Sequence, residues 1–137
     1  KYDPAVNWAT HVDMKTGRPQ VVPKYSTHHN GEDVNSTNIC PAALGSKDQQ
    51  PAAYSPKTGM LYIPFNDNHC MSLKGKIEER VPGKWSAGVD IPDINLIVDK
   101  NPPYIGGIQA WDVNSGKQIW REQYQKSWNW GSPLVTA

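Results

Sequence analysis

Several residues in this sequence carry side chains that could do chemistry. His28, His29, Glu32 and Asp33 lie within one short stretch and offer nitrogen and carboxylate donors. Their spacing fits no zinc motif, and neighbouring histidines on an extended segment often point to opposite sides, so the stretch reads as a surface loop or a loop between repeated sheets. Cys40 and Cys70 are the two cysteines. They suit either one disulfide in an oxidising compartment or two thiols in a reducing one, and composition leaves both open. Lys47 and Asp48 set a cation beside a carboxylate after Gly45-Ser46, and their plain readings are a solvated loop cation and a turn-capping aspartate. Asn35-Ser36-Thr37 matches a glycosylation acceptor by pattern alone. His69, next to Cys70, reads as structural. The sequence has no glycine-rich nucleotide loop, no serine–histidine–aspartate elbow and no zinc motif.

The elements that must position these groups are strands. Twelve prolines in 137 residues argue against long helices, because an interior proline removes a hydrogen bond and clashes with the preceding turn. Six tryptophans against one phenylalanine suggest a fold with large flat rings at repeated packing positions. Three similar turns recur, at Val12-Asp13-Met14-Lys15-Thr16-Gly17-Arg18, at Tyr54 to Tyr62 around Thr58-Gly59, and at Trp111 to Trp120 around Ser115-Gly116. Each reads as a strand, a polar turn closed by glycine, and a second strand. In the third, Ile108, Ala110 and Val113 precede the turn, and Ile119 and Trp120 follow it. The glycines stand 42 and then 57 residues apart. The first interval suits one propeller blade, and the second suits a blade plus an insertion at Val81 to Pro103, in which Ile94 to Val98 looks strand-like. The reading is all-β, with a generic β-sandwich as the competitor.

Charge is nearly balanced, with 14 basic and 13 acidic residues and no basic stripe, which makes nucleic acid an unsuitable partner. No apolar run approaches the length of a membrane span. The chain opens on Lys1-Tyr2-Asp3-Pro4, without an initiator methionine or signal peptide, as expected of a processed chain or of one beginning within a longer protein.

The run from Asn38-Ile39-Cys40-Pro41 through Gly45-Ser46-Lys47-Asp48-Gln49-Gln50-Pro51 to Tyr54 resembles the bacterial alcohol dehydrogenases that depend on pyrroloquinoline quinone (PQQ). Val6 to Thr10, Tyr25 to Val34, Asn68-His69-Cys70-Met71 and the hairpin Gln109 to Trp120 are similar to the same family. The likeness is to the large-subunit branch that includes lanthanide-dependent methanol dehydrogenases, with features of the ethanol enzymes. It covers nearly all of the chain except about 84–103.

The resemblance implies an eight-bladed β-propeller, of which residues 1–137 would form about two to three blades, tied by tryptophan-docking motifs such as Ala110, Asp112, Gly116, Lys117 and Trp120. It implies a Cys40–Cys70 disulfide and a periplasmic location. It implies that Asp48 and Trp130 contact the quinone, with Lys47 as a weaker neighbour. Trp130-Gly131 is followed by Ser132, where the family usually has a second glycine, and Trp128 is the local rival.

The family's catalytic aspartate and the ligands of its Ca²⁺ or lanthanide ion have no match here, so the resemblance implies no catalytic or metal-binding residue in this segment. In the family, a carboxylate takes the alcohol proton, hydride passes to the quinone, the metal polarises the quinone carbonyl, and electrons leave to a cytochrome c. The expected partners are a small primary alcohol, a cytochrome c, the rest of the propeller, and a second copy or a small subunit. The alternative is a non-catalytic propeller that binds or scaffolds.

Overall fold

The computed structural model describes residues 6–90, 95–98 and 103–136, and the regular structure in these is almost all strand. The strands are β1 (Ala9–Val12), β2 (Pro19–Val21), β3 (Asn35–Ile39), β4 (Ala53–Ser55), β5 (Met60–Asn66), β6 (His69–Lys74), β7 (Asn95–Val98), β8 (Gly106–Asp112) and β9 (Lys117–Tyr124). One helical turn, Pro23–Tyr25, and one four-residue helix, α1 (Thr27–Asn30), are the helical content among the described residues. The chain divides into two compact units, one built mainly from Ala43–His69 and Val98–Ala137, the other from Ala5–Ala42 and Cys70–Ile97.

The first unit is a four-stranded antiparallel sheet in the order β4-β5-β8-β9. Its spine is the β5–β8 pairing, continuous from Met60 opposite Asp112 to Asn66 opposite Gly106. Pro64 sits in β5 just past the end of β4, which reaches only to Tyr62, so its missing N–H breaks no ladder bond there. Phe65 and Ala110 are fully buried, and burying a ring such as Phe65 contributes about 2 kcal/mol. The rest of the interior is notably polar: Gln50, Asn66, His69 and Gln109 are buried as well. Arg121 on β9 lies with its guanidinium 4.0 Å from the Phe65 ring centre and forms an ion pair with Asp67 at 3.1 Å. A planar cation can serve both partners at once.

The three glycine turns fold alike. The glycine N–H donates to the carbonyl four residues earlier: Gly17 to Asp13 at 2.8 Å, Gly59 to Ser55 at 2.9 Å, Gly116 to Asp112 at 2.9 Å. All three glycines have φ between +64° and +69°, a conformation that costs a Cβ-bearing residue about 1–2 kcal/mol. Hydrogen bonds from the Lys15 and then the Thr16 N–H hold the Asp13 carboxyl below its ordinary pKa, and the Asn114 N–H and then the Ser115 hydroxyl do the same for Asp112.

One expectation is corrected here. The second and third turns are not a blade and an insertion apart. They close the two hairpins β4–β5 and β8–β9 of the same sheet. Glycine spacing counts hairpins, and two hairpins make one four-stranded sheet, so the 57-residue interval lies within a single blade. Trp120, expected as a wedge, meets the Tyr62 ring at 5.9 Å and remains 42% exposed. Val113 and Ile119 are exposed too.

The second unit holds the β1–β2 hairpin and a three-stranded sheet in the order β3-β6-β7. Ser26 caps α1 by accepting from the His29 N–H, and Gly31 ends it at φ +89°. His28 and His29 therefore sit on a helical turn, with their rings edge to face at 5.4 Å, and not on the extended loop expected. A polar tetrapeptide is too short for helical periodicity to show in sequence. Cys40 and Cys70 form the disulfide. The Asn7 side chain donates to the Asn38 carbonyl at 2.7 Å and accepts from the Cys40 N–H at 2.9 Å, pinning the run before β1 to this bridge. Of the expected insertion, the described part supplies β7, and residues 91–94 and 99–102 lie outside the described residues.

Candidate functional site

The Lys47–Asp48 turn and the Trp130 segment both belong to the first unit. Gly45, at φ +66°, turns the chain so that the Ser46 carbonyl accepts from the Asn66 N–H at 2.8 Å. Lys47 then folds back: its ammonium donates to the carbonyls of Asp48 at 3.1 Å and Gln50 at 2.8 Å. The buried Gln50 accepts from the Asp48 N–H through its side-chain oxygen at 3.2 Å. Asp48 itself is exposed, and no hydrogen bond to its carboxylate is formed among the described residues. Of the two charges placed together by sequence, the cation braces the turn and the carboxylate stands open.

Trp130 is held by its neighbours. The Asn129 N–H donates to the Asn66 side-chain oxygen at 2.8 Å, the Asn129 amide donates to the Gly107 carbonyl at 2.7 Å, and the Asn129 side-chain oxygen accepts from the Gly131 N–H at 3.1 Å. The segment passes so close over β8 that a Cβ on Gly106 would lie 2.7 Å from the Ser127 carbonyl oxygen and 2.8 Å from the Asn129 nitrogen. Trp128 packs edge to face on the His69 ring at 5.0 Å, whereas Trp130 is 42% exposed. The two tryptophans thus divide the roles, Trp128 inward and Trp130 outward.

His69 is buried, and that burial pushes its pKa down against the raising effects of the Asp67 charge and a hydrogen bond to the Gly45 backbone. It is a neutral packing residue that touches both segments. The sequence singles out Lys47, Asp48 and Trp130 as candidates but not Asn66, Asn129, Gly106 and Gly107, the residues that seat their segments. A Gly-Gly pair opening a strand was the available signal, since it marks close backbone approach.

The other polar stretch leads elsewhere. His28 and Glu32 line a cleft of about 300 Å³ in the second unit with Gly31, Gly75 and Lys76. Asp33 pairs with Lys74 at 3.1 Å. Among the described residues no group of three histidine, cysteine or acidic side chains could hold a metal ion. Within the glycosylation-like pattern, Ser36 is buried and its hydroxyl accepts from the Asn30 amide. No helix among the described residues is long and apolar enough to cross a membrane.

No family model matches the chain. Curated proteins do. A lanthanide-dependent methanol dehydrogenase of Methylorubrum extorquens is 50% identical over 145 aligned positions, covering the whole chain and 23% of that protein. A second lanthanide-dependent methanol dehydrogenase, from Methylacidiphilum fumariolicum, is 35% identical over 96% of the chain and 21% of its own length. Among solved structures, a europium-containing methanol dehydrogenase superposes with a TM-score of 0.71 at 31% identity, over 89% of this chain and 20% of that one. A quinohemoprotein alcohol dehydrogenase from Comamonas testosteroni does so with a TM-score of 0.65 at 26% identity, over 96% of this chain and 19% of that one.

Over its whole length the chain is therefore similar to one part of the quinoprotein methanol and alcohol dehydrogenases, and its sheets correspond to part of a β-propeller. Within that family it resembles the lanthanide-dependent methanol dehydrogenases along its whole length. It spans about a quarter of the length of the curated relatives it matches.

Proposed function

We propose that this chain supplies a propeller segment of a PQQ-dependent dehydrogenase that oxidises a small primary alcohol to the aldehyde. The observation that carries this reading is the 50% identity, over the entire chain, to a lanthanide-dependent methanol dehydrogenase. Electron transfer to a cytochrome c is proposed with it, since a relative at 30% identity is named 1-butanol dehydrogenase (cytochrome c). A periplasmic location is proposed on the family resemblance, and the Cys40–Cys70 bridge is consistent with it.

The site residues fit a quinone unequally. Trp130 carries an indole N–H on a half-open ring, able to donate to a quinone or carboxylate oxygen. Asp48 presents an unengaged carboxylate, able to accept from a ring N–H. Lys47 fits poorly, because its ammonium already serves two carbonyls of its own turn. Bound PQQ would supply the hydride acceptor, and a Ca²⁺ or lanthanide ion held by residues other than these would supply the Lewis acid. This segment orients the cofactor, forms one wall around it and excludes water there.

The test is alcohol-dependent dye reduction by the holoprotein reconstituted with PQQ and either La³⁺ or Ca²⁺. Turnover with methanol or ethanol supports the reading. Quinone binding without turnover on any primary alcohol would favour a non-catalytic propeller.

A further inference from the structure

We infer that Asn66 is a positioning residue that sets the Trp130 segment and the Lys47–Asp48 turn from one buried point. The inference rests on the reading of Trp130 as a quinone contact given above, and deepens it.

Asn66 is the last residue of β5 and is fully buried. Its N–H donates to Ser46, two residues before Asp48, and its side-chain oxygen accepts from Asn129, one residue before Trp130, both at 2.8 Å. Asn129 relays the hold, since its side chain reaches the Gly107 carbonyl on one side and the Gly131 N–H on the other, so that Trp130 is bracketed. Gly106, paired opposite Asn66, leaves the space into which the segment descends.

The choice of asparagine follows from this geometry. The partner atom is a backbone N–H, which can only donate, so the Asn66 amide must present its oxygen. An aspartate would accept the same bond but would bury a charge. A leucine of similar size would leave the Asn129 N–H unpaired in the interior. The Asn66 amide nitrogen has no hydrogen-bond partner among the described residues, so the side chain's polar connection runs through its oxygen to the Trp130 segment.

The test measures quinone affinity, by titration of the metal-loaded apoenzyme, alongside thermal midpoint. Asn66→Ala and Trp130→Phe are each expected to weaken PQQ binding by about ten-fold, equivalent to about 1.4 kcal/mol. The double variant is expected to bind no more weakly than either single variant, because both changes act through the same indole. Asn68→Ala is the control. It removes a side-chain bond to the Tyr104 carbonyl at the same end of the sheet, at 2.9 Å, and should lower the midpoint while leaving affinity unchanged. Should Asn66→Ala fail to fold, Asn129→Ala, which is less buried, carries the same prediction.

The inference is overturned if the Asn66 or Asn129 variants lose stability yet bind PQQ as the parent does, or if the losses in the double variant add. If Trp130→Phe alone binds PQQ normally, the cofactor role of Trp130 is what fails, and the positioning role falls with it.

Discussion

The Val113 N–H donates to the Gly59 carbonyl at 3.1 Å, so two of the three glycine turns stand side by side and are joined. A Cβ on Gly59 would meet the Asn114 amide at 3.4 Å, whereas one on Gly17 would meet nothing within 4 Å. The positive φ common to both glycines outweighs that difference in surroundings. Gly17→Ala and Gly59→Ala should each destabilise by about 1–2 kcal/mol and agree within about 0.5 kcal/mol. Urea unfolding of the two variants measures this. A Gly59→Ala cost well above that of Gly17→Ala would show that the joint between turns matters more than φ.

Gly107→Ala should be far worse, although nothing there requires an unusual φ. Its Cβ would fall 2.1 Å from the Glu122 carbonyl oxygen and 2.5 Å from the Phe65 ring. Neither neighbour can yield, since one is ladder backbone and the other is the buried ring beneath Arg121. A loss of about 3 kcal/mol or more is expected, at the upper end of overpacking costs. Circular dichroism melts and soluble yield would report it.

Stability should fall as pH drops below 6.5, and His69 should account for part of that fall. Burial lowers its pKa in the folded protein, so in this window the unfolded chain takes up a proton that the folded one does not. Above 6.5 the contribution is flat, and below the depressed folded value it levels off again. Denaturant midpoints between about pH 5 and 7.5 should slope less in His69→Gln than in the parent.

Reducing the Cys40–Cys70 bridge should cost roughly 3–4 kcal/mol on the loop-entropy account, for a sequence separation of 30 residues. Thermal midpoints with and without reductant give the value. Thiol labelling of both cysteines in the folded, unreduced protein would contradict the bridge itself.

Legibility in the sequence followed the range of the interaction. The three turns were readable because an aspartate or serine, a polar loop and a glycine specify them within five residues. The β5–β8 pairing was not, since it joins residues some fifty apart and nothing local names Met60 as the partner of Asp112. That hidden pairing is why two hairpins of one sheet passed for separate blades. Lys47, Asp48 and Trp130 became candidates through likeness to a family, not through any property of their own. Asn66 and Asn129 escaped because a buried asparagine that clamps backbone looks, in sequence, like any turn asparagine. The small helix at His28 and His29 escaped because four polar residues cannot display a period of about 3.6.

The Trp130 segment rests on the buried Asn66 side chain, on main-chain atoms and on two glycines: its Asn129 N–H is held by Asn66, it lies over Gly106, its Asn129 grips the Gly107 carbonyl, and its return is bonded at the Gly131 N–H. Such a seat is indifferent to the identity of the outward side chains it carries. Trp130 and Ser132 can change without disturbing how the segment is held, while any side chain added at Gly106 would unseat it. The outward surface of this segment is thus free to change in chemistry over a foundation that must stay fixed. The second glycine that Ser132 replaces is therefore a change of facing, and the mounting beneath it is untouched.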